Sequence, residues 1–265
     1  METRAARLGL GIWTVFVVLF LWVPLTIILV YAFNSSNIQS WPIPGFTFHW
    51  FSVAWNDADA RDAFWLSVKA ALAATAIAMV LGTMASFALA RFKFFGREAI
   101  SFILILPIAL PGVITGIALR SFYSFGGVPY SLWTIVIGHA TFCIVIVYNN
   151  VIARLRRTSG SIVEASMDLG ADPLQTFLHV TLPSISTALI SGGLLAFALS
   201  FDEVIVTTFT AGAQNTLPLW IFGNIRLGQQ LPEVNVVVFL ILLATIVPVA
   251  VAQRLTRESG ILRTE

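Results

Sequence analysis

Six apolar stretches in this sequence carry no Asp, Glu, Lys or Arg, and they approach the length of a bilayer crossing. They run from Leu10 to Phe33, Ala70 to Ala90, Ala99 to Leu119, about Tyr130 to Val151, Ser184 to Phe201, and Val234 to Gln253. A helix needs about 20 residues to cross the ~30 Å hydrocarbon layer. Barrel strands are shorter and alternate with period two, which these runs do not. The fold class expected is therefore an all-α polytopic membrane protein with six transmembrane helices. Composition closes the other routes. Only 11% of the residues are charged, against about 25% in a soluble domain. A water-soluble enzyme of this size needs more surface charge than that. With 58% hydrophobic residues, disorder is excluded as well. A net charge of +2 offers no footprint for nucleic acid. The single cysteine, Cys143, excludes an internal disulfide or a cysteine-based metal cluster. The first apolar run is longer than a signal-peptide core and lacks a small-x-small cleavage site, so it is expected to stay as an anchor.

The basic residues orient the chain. With both termini inside, eleven bases fall on the cytoplasmic side: Arg4, Arg7, Arg91, Lys93, Arg97, Arg154, Arg156, Arg157, Arg254, Arg257 and Arg263. Four fall outside: Arg61, Lys69, Arg120 and Arg226. The outer segment between the first two spans is rich in aromatics, with Trp41, Phe46, Phe48, Trp50, Phe51 and Trp55. Such rings favour the membrane–water boundary. Docking of an external partner is the alternative reading. The second span repeats small residues every fourth position: Ala70, Ala74, Ala78, Gly82, Ser86 and Ala90. That stripe lies on one helix face and permits close helix approach. Gly112 and Gly116 repeat the device in the third span.

The inner loop between the fourth and fifth spans, about Ile152 to Leu182, is written as two short helices. Ser161-Ile162-Val163-Glu164 has capping-box spacing, and Gly170 suits the residue after a helix end. Asp172-Pro173-Leu174-Gln175 opens a second helix, expected to end before Pro183. Ile162, Val163, Leu169 and Phe177 give the pair apolar surface to bury. Bracing of the two spans and docking of a partner both account for this.

Glu164-Ala165-Ser166, then three residues, Gly170, nine residues, and Val180-Thr181-Leu182-Pro183 resemble the EAA signature of ABC importer permeases. Ser166 replaces the second alanine and Val180 the isoleucine. The resemblance implies a type I permease domain over 64–253, with a coupling helix in the loop at about 152–182. It leaves an anchor helix and outer loop over 1–63 and a cytoplasmic tail over 254–265. It assigns coupling to Glu164, Ala165, Ser166, Gly170, Ala171, Leu182 and Pro183. It implies two ABC ATPase subunits, a homologous second permease and an extracytoplasmic substrate-binding protein, in a bacterial cell membrane. The sequence contains no G-x-x-x-x-G-K-[ST] phosphate loop, so ATP and Mg belong to the partner ATPase. No cofactor, metal or catalytic residue is expected on this chain.

Ser200-Phe201-Asp202-Glu203-Val204, Thr216-Leu217-Pro218-Leu219-Trp220-Ile221-Phe222 and Pro232-Glu233-Val234-Asn235 are most similar to the second permease subunit of spermidine/putrescine importers. Permeases for ferric iron, thiamine, opines and phosphonates share parts of these stretches. Asp202 and Glu203 stand near the outer end of the fifth span, where a negative mouth attracts a polycation. They either line the pathway or cap the following segment. Trp220, Phe222 and Tyr123 are candidates for cation–π contact with an ammonium group, or anchors at the membrane interface. His139, without a second ligand nearby, reads as a packed helix residue. An ion-driven secondary transporter is the rival class. It requires paired interrupted helices and acids within the membrane.

Overall fold

The computed structural model describes residues 4–228 and 230–261, and no strand forms among them; Asn34 and Phe46 make an isolated antiparallel bridge. Four helices are long and apolar enough to cross a membrane, and one sharply bent pair makes a fifth crossing if counted together. The sixth expected span falls in a helix whose apolar part is shorter, Leu231–Ile246. The chain divides into two compact units. One comprises Met1–Arg61 with Ile221–Glu265, and the other Asp62–Trp220.

In the first unit, α1 (Arg4–Tyr31) leads to α2 (His49–Asn56). The aromatic loop splits into two kinds of ring. Phe33 packs against Phe48, Phe51 and Phe239 with centroids 5.1–5.6 Å apart, and Trp50 Nε1 donates to the Asn34 carbonyl at 2.9 Å. Trp41, Phe46 and Trp55 stay exposed. Asp57 joins two helices. Its Oδ1 accepts from the backbone N–H of Asp59 at 2.7 Å and of Ala60 at 3.2 Å, which caps the next helix, α3 (Ala58–Arg91).

In the second unit, α3 lies against α6 (Leu132–Leu155) along the small-residue stripe. Ala70, Ala74, Ala78, Gly82 and Ser86 are buried, and Ala90 is half-buried. Gly82 decides the distance. A Cβ there would sit 2.9 Å from the Ile144 carbonyl oxygen and 3.1 Å from the Tyr148 nitrogen, backbone atoms with nowhere to go. Ser86 Oγ closes the contact on the Tyr148 carbonyl at 3.1 Å.

The third expected span is not one helix. α4 (Arg97–Ala109) and α5 (Gly112–Phe125) meet at 104°. Leu110 is extended (φ −79°, ψ 142°), as a residue before proline prefers. The Pro111 carbonyl accepts from Ile114 and Thr115 and starts the new helix. Proline has no N–H to carry the old ladder through. The fifth span also breaks. α9 (Leu182–Phe201) stops at Asp202, and α10 (Ile205–Thr210) packs on α5. Gly112 and Gly116 make room for it: a Cβ on Gly112 would touch Ile205 at 3.4 Å, and one on Gly116 would strike the Phe209 ring.

The last helices are α11 (Leu217–Leu227) and α12 (Leu231–Ile261). α12 continues past Gln253, where the span was expected to end and a tail to begin. Residues 262–265 of that tail lie outside the described residues. Within the first unit α12 packs on α2. Glu233, in its first turn and ahead of the apolar run, is buried at 1% exposure. Burial raises its carboxyl from 4.5 to about 7, helped by a hydrogen bond to Asp57 and by that neighbour's charge. A raised acid pKa stabilises the folded state fully below pH 4.5, and this contribution is lost as pH climbs through about 7. Melting curves of the purified protein from pH 4.5 to 7 are expected to fall with rising pH. Glu233→Gln, which cannot titrate, is expected to flatten that slope; an unchanged slope would exclude this carboxyl as its source.

Candidate functional site

Two sites follow from the fold of the second unit, one at each end of α9. The first is the turn before it. α7 (Gly160–Asp168) begins two residues earlier than the sequence implied. Ser159, not Ser161, is its cap: the Ser159 Oγ accepts from the Ser161 N–H at 3.3 Å. Glu164 does not close a capping box and is exposed, as is Ala165. A carboxylate released from its own helix is free for a partner. α7 ends as expected. Gly170 sits at φ +89°, its N–H donating to Met167 O at 2.9 Å while the Ala171 N–H donates to Ser166 O at 3.2 Å. This is a Schellman turn, and it needs glycine at the left-handed position.

Asp172 and Gln175 make a reciprocal capping box, at 2.8 and 3.1 Å, opening α8 (Pro173–Thr176). Ser166 Oγ and Thr176 Oγ1, 3.1 Å apart, tie α7 to α8. The serine that departs from the EAA pattern thus supplies a cross-link. Of the four apolar residues expected to be buried, Val163 is buried and Phe177 packs on Phe87 (centroids 5.6 Å). Ile162 and Leu169 remain exposed, at 52% and 89%, beside exposed Met167 and Leu174. An apolar tip of this kind suits a docking partner. Glu164, Arg91 and Val180 line a cleft of about 460 Å³ behind it.

The second helix does not stop before Pro183. It widens into a π-turn (Phe177–Thr181) and runs on into α9, making a continuous 29-residue helix from Pro173 to Phe201. A proline lacks the N–H for the regular ladder and crowds the carbonyl four residues back. A wider turn just before Pro183 absorbs both defects. Leu182 and Pro183 are therefore the first α-helical residues after that turn.

The second site is the far end of α9. Asp202 caps it and is exposed. Glu203 turns the other way: its Oε1 accepts from the Val206 N–H at 2.9 Å, capping the start of α10. Of the two roles open to this acid, the geometry takes the cap. Below the break, His139 is buried between Ser200 Oγ (2.7 Å from Nδ1) and Thr207 Oγ1 (2.8 Å from Nε2). Thr207 Oγ1 donates its own proton to the Glu203 carbonyl at 2.6 Å, so it accepts from Nε2–H, and Nδ1 accepts from Ser200. A neutral imidazole with one donor and one acceptor meets both demands. His139 is thus the packed helix residue expected, and the sequence hid its two partners because they lie 61 and 68 positions away.

The aromatic candidates differ in exposure. Tyr123 is buried and its hydroxyl donates to the Thr134 carbonyl at 3.1 Å, which removes it from any solute surface. Trp220 is buried, at 7% exposure, and Phe222 is exposed, at 56%.

These features can be set beside known proteins. Residues 78–257 match the family described as binding-protein-dependent transport system inner membrane component. The chain belongs to that family. It is 38% identical over 232 residues to the putrescine transport system permease protein PotI of Escherichia coli (strain K12), covering 84% of this chain and 82% of that protein. It is 30% identical to the spermidine/putrescine transport system permease protein PotC of Haemophilus influenzae, over 91% of this chain and 93% of the relative. Its fold resembles a chain of a bacterial ABC transporter that imports the acidic polysaccharide alginate, with TM-score 0.67, 18% identity and 96% and 98% coverage. The permease-like fold inferred from the EAA pattern is borne out.

His139→Leu leaves Ser200 and Thr207 without their ring partner in a buried site. The expected loss is about 1–3 kcal/mol, read as a lower melting temperature of the purified protein. His139→Asn, which offers both a donor and an acceptor, is expected to lose less; equal melting of His139→Leu and the parent would discount the network.

Proposed function

We propose that this chain is one membrane-spanning subunit of an ATP-driven importer of polyamines such as putrescine and spermidine. The observation that carries the reading is the likeness to two polyamine permeases over most of the chain, together with the EAA-patterned turn at 164–183. In this reading the chain spans the bacterial inner membrane six times with both termini in the cytoplasm, as the distribution of Lys and Arg favours. It pairs with a homologous permease. Two ATPase subunits, which hold ATP and Mg, bind the turn from below, and a substrate-binding protein delivers solute from outside. The chain itself hydrolyses nothing.

Glu164 and the exposed apolar tip enter a cleft of the ATPase. Closure of the ATPase dimer draws the turns together, and the continuous helix through Pro183 passes the displacement along α9. Asp202 faces the solute at the outer end, where a single carboxylate attracts a cation. Glu203 holds α10 in place and acts on solute only through that fold.

The test is ATP hydrolysis by the complete transporter with its binding protein, across a panel of amines, ferric iron, thiamine, opines and phosphonates. Stimulation by putrescine or spermidine alone is expected, and stimulation by another class alone would overturn the cargo. Asp202→Asn is expected to reduce amine stimulation. Glu203→Gln keeps an acceptor for Val206 N–H and is expected to matter less. A bulky charge at Gly170, as in Gly170→Arg, cannot keep the left-handed backbone without strain. ATP hydrolysis is then expected to continue while uptake into vesicles is lost; normal uptake would refute the coupling role.

A further inference from the structure

The loop that joins α3 to α4 is short, basic and aromatic. It reads Arg91-Phe92-Lys93-Phe94-Phe95-Gly96-Arg97. Phe92, Phe94 and Phe95 are all exposed, Phe95 at 104%, and Lys93 is exposed among them. Three phenyl rings gathered this closely and left uncovered form an apolar patch that calls for a partner. A tight turn presents them. The Arg97 N–H donates to the Phe94 carbonyl at 3.4 Å, and Gly96 carries the chain round at φ +82°, a conformation natural to glycine. Lys93, Phe94, Gly96, Arg97, Glu98 and Ala99 line a notch of about 350 Å³ in this turn.

Depth and charge identify the partner. α3 is long and apolar enough to cross a membrane. Its stretch from Ala70 to Ala90 carries no charge and rises about 30 Å at ~1.5 Å per residue, the thickness of the hydrocarbon layer. Arg91 follows directly, so in the six-span reading the loop begins where the hydrocarbon ends. α4 leaves the loop with no residue buried, and its Phe102 and Ile103 are open on the outside. The three rings therefore fall at the boundary between acyl chains and headgroups, where aromatic side chains settle. The charges say which headgroup. Arg91 to Glu98 holds three bases and one acid. Arg91 belongs to the coupling turn: its guanidinium lies 5.9 Å from the centre of the Phe87 ring, and it lines the cleft that Glu164 also lines. Lys93 and Arg97 remain in the notch for an outside anion. Glu98 is the opposing charge there. It stands in the first turn of α4, where the positive end of the helix offsets it. A phosphodiester that carries no amine meets a net positive notch, whereas a zwitterionic headgroup brings its own cation to the same place and gains less.

We propose that this loop docks an anionic phospholipid of the inner leaflet, phosphatidylglycerol, with its phosphate between Lys93 and Arg97 and its acyl chains against Phe92, Phe94 and Phe95. The proposal rests on the cytoplasmic placement of the loop in the reading given above, and not on the cargo. It is tested in the complete transporter in mixed bilayers, with a bimane fluorophore on Phe95→Cys. Cys143 is buried, so the parent gives the background. The quenchers are phosphatidylglycerol and phosphatidylcholine with brominated acyl chains. Phosphatidylglycerol is expected to quench with about tenfold higher apparent affinity. Lys93→Gln combined with Arg97→Gln is expected to remove that preference, and Glu98→Gln to increase it. Equal quenching by the two lipids reduces the loop to an apolar anchor and overturns the proposal. A preference weakened by Glu98→Gln would show the acid holding a headgroup cation, which overturns the anion assignment. Absence of quenching by either lipid puts the rings outside the bilayer and overturns the proposal; quenching that then appears on stripping the ATPase subunits names the ATPase as the occupant. Sidedness is read separately, with an impermeant maleimide on Lys93→Cys. Reaction in inside-out vesicles is expected, and reaction only in right-side-out vesicles overturns the topology while the lipid preference stands on its own measurement.

Discussion

Close backbone approach around α6 holds the central unit together. Lipid tails are as apolar as leucine, so helices in a membrane gain little from hydrophobic burial and rely on contact. Three glycines supply it: Gly82 on α3, Gly192 on α9, and Gly138 of α6 itself, where a Cβ would meet Val206 of α10 at 3.3 Å. Each removes a side chain where another helix must pass. The alanine stripe then extends the contact at Gly82 into a seam.

The helix breaks obey the same economy of unmet groups. Backbone N–H and C=O groups inside a membrane must find partners within the protein. At Pro111 a proline removes the N–H that would be stranded, and its carbonyl begins the next helix. At Asp202–Val204 the Glu203 carboxylate takes a backbone N–H, and the Thr207 hydroxyl takes the Glu203 carbonyl. His139 locks both to α6. Two interrupted helices are what an ion-driven carrier would also show. Here the acid at the second break is spent on holding the backbone, and the family match over residues 78–257 decides for the ABC class.

Much of this was legible in the residues. The four-residue stripe, the Asp172–Gln175 box and the Gly170 stop each depend on neighbours in sequence, and each appears in the fold; of the six apolar runs, four lie in helices long enough to cross a membrane. Failures came where tertiary partners or proline chemistry decide. Ala99–Leu119 reads as one apolar run because hydropathy does not see the bend; the pair Pro107 and Pro111, followed by Gly112, was the available signal. Ser161 and Glu164 have capping spacing, yet the cap falls two residues earlier, on Ser159. Pro183 reads as a stop, whereas a π-turn carries the chain past it. Tyr123 looks like a solute aromatic until its hydroxyl finds Thr134.

The uninterrupted helix from Pro173 to Phe201 has a mechanical meaning. At 29 residues it is a rod about 43 Å long, with its foot in the turn and its head at the carboxylate. No loop lies between them to absorb a displacement. The π-turn is the one departure from regular winding along it. A sideways shift of the foot is therefore converted into a tilt or roll about Pro183. A roll of even part of a turn would swing Asp202 and the foot of the helix as one piece, so that neither end could turn without the other responding.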